Sequence, residues 1–317
     1  MNHSFKTVFV SLFVFTAILS INAPVSIAQQ IYSKAYGHRG DPAIIYLHGG
    51  PRGNSTLFEG TTATALASRG FYVIVYDRRG EGRSIDAEAK ITFDEAFSDL
   101  NTLIKQYDLS KVSLLGHSFG GIVSTLYVNA FPEKVERLIL VGALFSQQES
   151  YDHILSSSLS AATQKEDTAM LKKISYIKSL DKQSEQYRKQ TYEVASHFGF
   201  FKMPKPTEES KKLNQEYDSS SFSKSNIRND KAPVLFYQNE SRVNIDTKAI
   251  LKSIKNKNIK LSAIYGLQDG IFSKKQLSEM QNITGPANFY AIENCSHYPF
   301  VDQQAKFLQS VQQIMNK

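Results

Sequence analysis

Short apolar runs alternate with longer amphipathic stretches through most of the chain. Ala43-Ile44-Ile45-Tyr46-Leu47 is continuously apolar, the pattern of a strand buried on both faces. Residues 71–76, 112–115, 135–141, 259–265 and 288–292 also read as strands. Helical spacing fills the gaps. A helix over 57–69 is closed by Gly70, and another opens on the capping box Thr92-Phe93-Asp94-Glu95 and runs to about Tyr107. A third follows residue 121 and ends near Phe131-Pro132. Further helices are predicted at 247–255 and 274–281. Val301, Ala305, Leu308, Val311 and Met315 then share one face of a closing helix. The alternation predicts an α/β protein: a mainly parallel, doubly wound sheet with helices on both faces.

The rhythm stops between residues 146 and 240. That segment is rich in Ser, Lys, Gln and Tyr and carries one evident break, Lys202-Met203-Pro204-Lys205-Pro206. It is too long for an ordinary loop. The expected organisation is therefore a core formed by residues 29–145 and 241–317, with residues 146–240 inserted as a helical cap. Following the strand at 135–141, the insertion would stand on the side of the sheet where strands end, as a mobile lid over a pocket. Tyr192, Phe198, Phe200 and Phe201 could supply apolar walls there or simply bind cap to core.

Composition refines this picture at three points. With 317 residues and 41% hydrophobic content the chain can bury a sizeable core. The net charge of +7 comes with lysines mixed among acidic residues across 165–260, a solvated helical surface. No basic run interleaves with aromatics, so a nucleic-acid partner is not expected. Cys295 is the single cysteine, which excludes an intrachain disulfide; a small packed residue at a strand end is the expected role. Residues 1–28 read as a secretory signal peptide, with an apolar run over 8–21 and Ser26 and Ala28 at a cleavage site. The run is shorter than the ~20 residues of a spanning helix, which argues against an uncleaved anchor. The expectation is an exported protein starting at Gln29, with no membrane span after cleavage.

The chemistry centres on Gly116-His117-Ser118-Phe119-Gly120. A strand precedes it and a helix follows, so it matches the G-x-S-x-G nucleophile elbow. A serine hydroxyl needs a base to take its proton and a carboxylate to orient that base. His297 follows the last strand in a polar loop and is the expected base. His48 more plausibly orders its own loop, and His117, beside the nucleophile, would point elsewhere. Asp269 ends a strand in a glycine-flanked loop and is the expected acid; Asp246 is the alternative, although no apolar strand leads into it. The chain order Ser118, Asp269, His297 is that of α/β-hydrolases.

With these residues in view, the chain resembles the α/β-hydrolase superfamily, and within it the proline iminopeptidase (prolyl aminopeptidase) group. His48-Gly49-Gly50-Pro51 is similar to that group's His-Gly-Gly-Pro-Gly loop. Residues Asp77 to Ser84 are similar to its Asp-x-Arg-Gly-x-Gly-x-Ser stretch, and Gly116 to Gly121 to its elbow. The resemblance implies a serine hydrolase without metal or cofactor, acting through an acyl-enzyme on a small molecule or short peptide. It also implies an oxyanion hole formed by the backbone N–H groups of Phe119 and Gly50. Two positions depart from the group: Arg52 stands where it has glycine, and Phe119 where the peptidases usually have tryptophan. An aminopeptidase needs cap carboxylates for the substrate's amino group, and Glu193, Glu208, Glu209 and Glu216 are the candidates, against the plainer role of surface glutamates. A carboxylesterase or lipase-like hydrolase of small acyl esters is the alternative activity, and a non-catalytic ligand-binding module the alternative class. Dehalogenases and epoxide hydrolases carry Asp where Ser118 stands.

Overall fold

The computed structural model describes Met1 and residues 31–317; the signal peptide expected over residues 1–28, apart from Met1, and its expected cleavage site lie outside the described residues. Seven strands form one sheet: β1 (Ser33–Tyr36), β2 (Ala43–Leu47), β3 (Tyr72–Tyr76), β4 (Val112–His117), β5 (Val135–Val141), β6 (Lys260–Gly266) and β7 (Phe289–Ile292). They lie in the order β1-β3-β2-β4-β5-β6-β7. β1 pairs antiparallel with β3, and every other pairing is parallel. This is the α/β-hydrolase architecture expected from the alternation of strands and helices.

The continuous apolar runs are explained by the two layers they serve. Ile45, Leu47, Ile74, Leu114, Leu138, Leu140, Ala263 and Tyr265 join one buried cluster. Their neighbours Ile44, Tyr46, Val73, Val75, Leu115, Ile139, Val141 and Ile264 join another. Alternate residues thus enter opposite faces, as the two-residue period of a strand requires. Burying one such side chain contributes about 1.5–3 kcal/mol, so a one-residue slip of a central strand would exchange both layers without gain.

Several local details differ from the sequence expectation. β1 is absent from it, because Ser-Lys-Ala-Tyr at a sheet edge offers no apolar run; β1 is held through its pairing with β3. The helix expected at 57–69 spans residues 56–67 with a π-helical turn at Glu59–Ala63. That turn begins at the buried Glu59, whose Oε1 accepts hydrogen bonds from the hydroxyls of Tyr32 (2.8 Å) and Tyr36 (2.7 Å). The helix Phe93–Gln106 starts as expected, with the capping box of Thr92 and Glu95 in place.

Between β5 and β6 the described chain contains no strand. It runs through the helices Gln147–Gln164, Thr168–Ser179, Glu185–His197, Glu208–Asp218, Ser221–Lys224 and Ala232–Asn239, and then through Lys248–Ile254 on its return to the sheet. The first three enclose a small core of their own around Tyr151, Leu155, Ile174, Ile177, Tyr187 and Val194. Where this segment leaves the sheet layer and returns, its two ends lie side by side. Gln147 N donates to Ile245 O (3.0 Å) and Thr247 N to Phe145 O (2.7 Å). Among the described residues no helix is long and apolar enough to cross a membrane.

Candidate active site

Ser118 stands between the last residue of β4 and the first residue of the helix Phe119–Ala130. Its backbone has φ 53° and ψ −121°, outside the regions that L-residues ordinarily occupy. Such a residue costs about 1–3 kcal/mol and persists only where its surroundings over-determine it. They do so here: Ser118 N donates to Val141 O (3.2 Å), and Ser118 O accepts from Gly121 N (2.9 Å) and Leu144 N (3.0 Å). The flanking glycines are required by space. A Cβ on Gly116 would strike Ser124 Oγ and approach Gly120 O to 2.7 Å, and one on Gly120 would strike the Leu47 carbonyl. Strand, helix and the end of β2 therefore meet without room for a side chain, and the half-buried serine is lifted at the crossing. A Cβ built on Gly49, in the loop after β2, would lie 3.6 Å from Ser118 Oγ.

Asp269 follows β6 and His297 follows β7, so both lie beyond carboxyl ends of strands, where open α/β sheets place their ligands. Nδ1 of His297 is 2.8 Å from Oδ2 of Asp269, and both residues are buried. Asp269 Oδ1 accepts from Ile271 N (3.0 Å), which fixes the carboxylate. A carboxylate at Nδ1 favours the tautomer with the proton there, leaving Nε2 to accept.

Asp246, the alternative acid, is engaged elsewhere: Ser146 Oγ donates to it (3.3 Å), as do Lys248 N (2.9 Å) and Lys248 Nζ (3.2 Å). His48 orders its own loop, as expected. Its Nδ1 lies 2.7 Å from Gly49 O, and its Nε2 accepts from Arg78 N (3.1 Å). Burial, then the charge of Arg78, lowers its pKa to about 4. His117 does not simply point away: its Nε2 lies 2.9 Å from the carbonyl of His297 and supports that residue's backbone. Burial, with the neighbouring His297, holds His117 well below the usual imidazole range, so it stays neutral and donates.

The loop after β2 is held by residues that the sequence presented only as part of a motif. Arg78 donates to His48 O (2.5 Å) and Gly49 O (2.8 Å), and its Nε donates to Glu81 Oε2 (2.8 Å). Glu81 Oε1 accepts from Arg52 N (2.5 Å) and Gly53 N (3.0 Å). A second pairing lies beneath, where Arg83 bridges Asp77 (2.7 Å) and Glu59 (2.7 Å). Burial alone would push the Asp77 carboxyl up, but the hydrogen bonds and charge of Arg83 outweigh it and hold Asp77 below the usual range. The Phe119 N–H is the first of its helix, where backbone donors lack partners within the helix. Its ring packs against Phe93 (5.8 Å) and Phe236 (5.4 Å).

The helical segment reaches this site. Phe201 lies 5.3 Å from the His297 ring, and Gly270 N donates to Phe200 O (3.0 Å). Tyr192 packs against Tyr151 (5.7 Å), and Phe198 against Phe200 (6.0 Å). Asp302, unnoticed in the sequence, accepts from Ser296 N and Ser296 Oγ, both at 2.7 Å, and so pins the residue before His297. Cys295 is buried, and burial pushes its thiol far up, away from thiolate chemistry. The four nominated glutamates are exposed. Glu193 pairs with Lys173, Glu208 with Lys211 and Glu216 with Lys212. Among the described residues no cluster of side chains with metal-ligating character is present.

The family profile of the alpha/beta hydrolase fold matches residues 42–304, and the chain belongs to that family. Proline iminopeptidase from Lactobacillus delbrueckii subsp. bulgaricus is 35% identical over 123 residues, 37% of this chain and 41% of that one. Proline iminopeptidase from Saccharolobus solfataricus is 33% identical over 120 residues, 37% of this chain and 38% of that one. The chain thus matches about two fifths of the length of these curated relatives. Among solved structures, a proline iminopeptidase-related protein from Thermus thermophilus superposes with a TM-score of 0.65 at 20% identity, covering 90% of this chain and 93% of that one. An esterase from Exiguobacterium antarcticum gives 0.58 at 20% identity, with 90% and 96% covered. These likenesses show the fold and a relation to hydrolases of the proline iminopeptidase type.

Proposed function

We propose that this chain is a serine hydrolase in which Ser118, His297 and Asp269 form the triad, acting on a small ester or amide. The observation that carries the reading is the 2.8 Å contact between buried His297 and Asp269, past the carboxyl ends of β6 and β7, on the same edge of the sheet where β4 ends in the strained elbow of Ser118. His297 Nε2 takes the proton of Ser118 as the hydroxyl oxygen attacks the substrate carbonyl. The N–H groups of Phe119 and Gly50 receive the negative charge that develops on the carbonyl oxygen, where the helix N-terminus favours it. His297 returns the proton to the leaving group, and water then releases the acyl group from Ser118 by the same path in reverse.

Within that class, hydrolysis of small acyl esters is the better supported activity. The motifs shared with proline iminopeptidases cover the scaffold, whereas the four glutamates nominated for an aminopeptidase are all exposed, and buried Glu240 is taken up by Arg242 and the N–H of Phe93. The helices over 146–240 act as the roof that sets substrate size, their contacts to His297 and Gly270 closing the site from one side. A screen of purified protein against proline anilide, its N-acetylated form, and short and long acyl esters tests the reading. Short esters are hydrolysed fastest; a proline anilide cleaved well, with its N-acetylated form inert, would restore the aminopeptidase. We also propose export with a mature start at Gln29, supported by the pattern of residues 1–28 and tested by N-terminal sequencing of exported protein.

A further inference from the structure

Arg188 has an environment unlike that of any other buried arginine here. It lies on the helix Glu185–His197 and is about nine-tenths buried, with 9% relative exposure. Arg78 is also buried and pairs with Glu81 at 2.8 Å; Arg137 is buried and pairs with Glu136 at 3.5 Å. Half-buried Arg79 and Arg83 bind Asp99 and Asp77. Arg188 forms no ion pair with any carboxylate among the described residues. Its guanidinium donates one hydrogen bond, Nη2 to Gly50 O at 2.8 Å, and stands 5.1 Å from the centre of the Tyr192 ring. Guanidinium carries five donors in a planar fork. A buried charge without a counter-ion is costly unless something in the functional state neutralises it.

Its position gives the missing partner a role. Gly50 belongs to the loop that approaches Ser118, since the neighbouring Gly49 lies against Ser118 Cβ and Oγ. The helical segment therefore brings the cation to the residue that follows Gly49, in the loop that lies against Ser118. Around it stand the phenols of Tyr151, Tyr192 and Tyr237, which burial pushes up and keeps neutral, so they offer no compensating charge. The roof offers a positive group at the site, whereas its candidate glutamates face solvent.

We infer that Arg188 recognises a carboxylate on the substrate, so that the preferred substrate is a small ester or amide that bears an acid group near the scissile carbonyl. The fork of guanidinium donors suits a carboxylate bidentately. The low dielectric of a roofed site strengthens the attraction and shields it from salt. The inference rests on the hydrolase reading for catalysis but not for binding, and the two can be separated.

The test pairs mono-p-nitrophenyl glutarate with the size-matched neutral ester p-nitrophenyl valerate. The wild type is expected to favour the acidic ester in kcat/KM by at least tenfold. Arg188→Gln is expected to lower kcat/KM for the acidic ester on the order of 10²-fold more than for the neutral one. Arg188→Lys, which keeps the charge and loses the fork, falls between. Equal losses on both esters, or a wild type that prefers the neutral ester, would overturn the inference. The second arm needs no turnover. Glutarate is titrated calorimetrically into Ser118→Ala and into Ser118→Ala/Arg188→Gln. Binding to the first and a loss of at least tenfold in the second supports the anion site even if no ester is hydrolysed; binding that is equal in both, or absent from Ser118→Ala, overturns it. Failure of the hydrolase reading shows differently, as no hydrolysis of either ester and no fluorophosphonate labelling of Ser118.

Discussion

The loops at the carboxyl edge of the sheet and the helical segment above them are held together by different means. Under the site, charges are buried and matched. The side chains of Glu81, Asp77, Glu59 and Asp99 are fully buried, each against an arginine. Across the roof, pairs lie in water: Lys173–Glu193, Lys182–Asp152, Lys211–Glu208 and Lys212–Glu216 all have both partners well exposed. Exposed pairs contribute about 0–1 kcal/mol, whereas removing one partner of a buried pair costs about 3–5 kcal/mol. The floor of the site is thus fixed in geometry, and the roof is free to vary in surface sequence. Arg188 is the exception within the roof, buried as the floor's arginines are but without their carboxylate.

The largest effects should come from the floor. Ser118→Ala is expected to lose on the order of 10⁶ in kcat while the fold is retained. A fluorophosphonate probe should label the wild type and leave the variant unmarked; labelling of both would remove Ser118 as nucleophile. Next in size, Asp269→Asn should lose about 10⁴ in kcat, because the amide no longer fixes the His297 tautomer. Asp246→Asn, measured beside it, should stay within a few-fold of wild type, since Asp246 is bound to Ser146 and Lys248. Comparable losses in the two variants would reopen the choice of acid.

The same comparison predicts stability. Glu81→Ala leaves Arg78 buried and unpaired and frees the N–H groups of Arg52 and Gly53, so urea unfolding should show a loss of about 3–5 kcal/mol. Glu193→Ala in the roof should change stability by less than about 1 kcal/mol. Equal losses would erase the distinction between floor and roof.

Acid sensitivity gives an effect of defined sign. His48 titrates near 4 when folded and near 6.5 when unfolded. Between those values the unfolded chain binds the extra proton. Stability conferred by neutral His48 is therefore complete above about pH 6.5 and falls as pH drops toward 4, by about 3 kcal/mol in all. Buried His117, also lowered, adds to the same slope. Urea midpoints taken from pH 7 to pH 4 should fall, and His48→Asn should flatten the slope; a flat wild-type profile would contradict a neutral, buried His48.

The sheet was readable because β2 and β3 are unbroken apolar runs and β4, β5 and β6 are apolar along most of their length, so both faces announced burial at once. The elbow was readable because close packing restricts Gly116 and Gly120 to a single residue type. Thr92 declared its helix through a hydrogen-bond pattern local to four residues. The features that escaped depend on distance. β1 is polar and exists only against β3. Arg78 and Glu81 are three residues apart in an evident motif, but their work is to hold carbonyls and N–H groups some thirty positions away. Arg188 and Lys189 are adjacent and look alike in sequence; only the turn of the helix buries the first and exposes the second. His297 and Asp269 were singled out from their places after strands, and the structure brings the two together at 2.8 Å, because strand ends are where a parallel sheet gathers distant residues.

The side-by-side ends of the helical segment make it a pendant held at a clasp. The rungs between residues 145–147 and 245–247 join positions about one hundred apart in sequence, so the clasp keeps almost the same gap whatever hangs from it. Chain length beyond such a clasp is cheap, since doubling a loop adds only about 0.6 kcal/mol of closure entropy. A different set of helices, or a short turn, could be grafted there without disturbing the register of β5 and β6. In this architecture the helical segment is an exchangeable part, and a lineage can replace it while keeping the sheet and the strand-end loops beneath it.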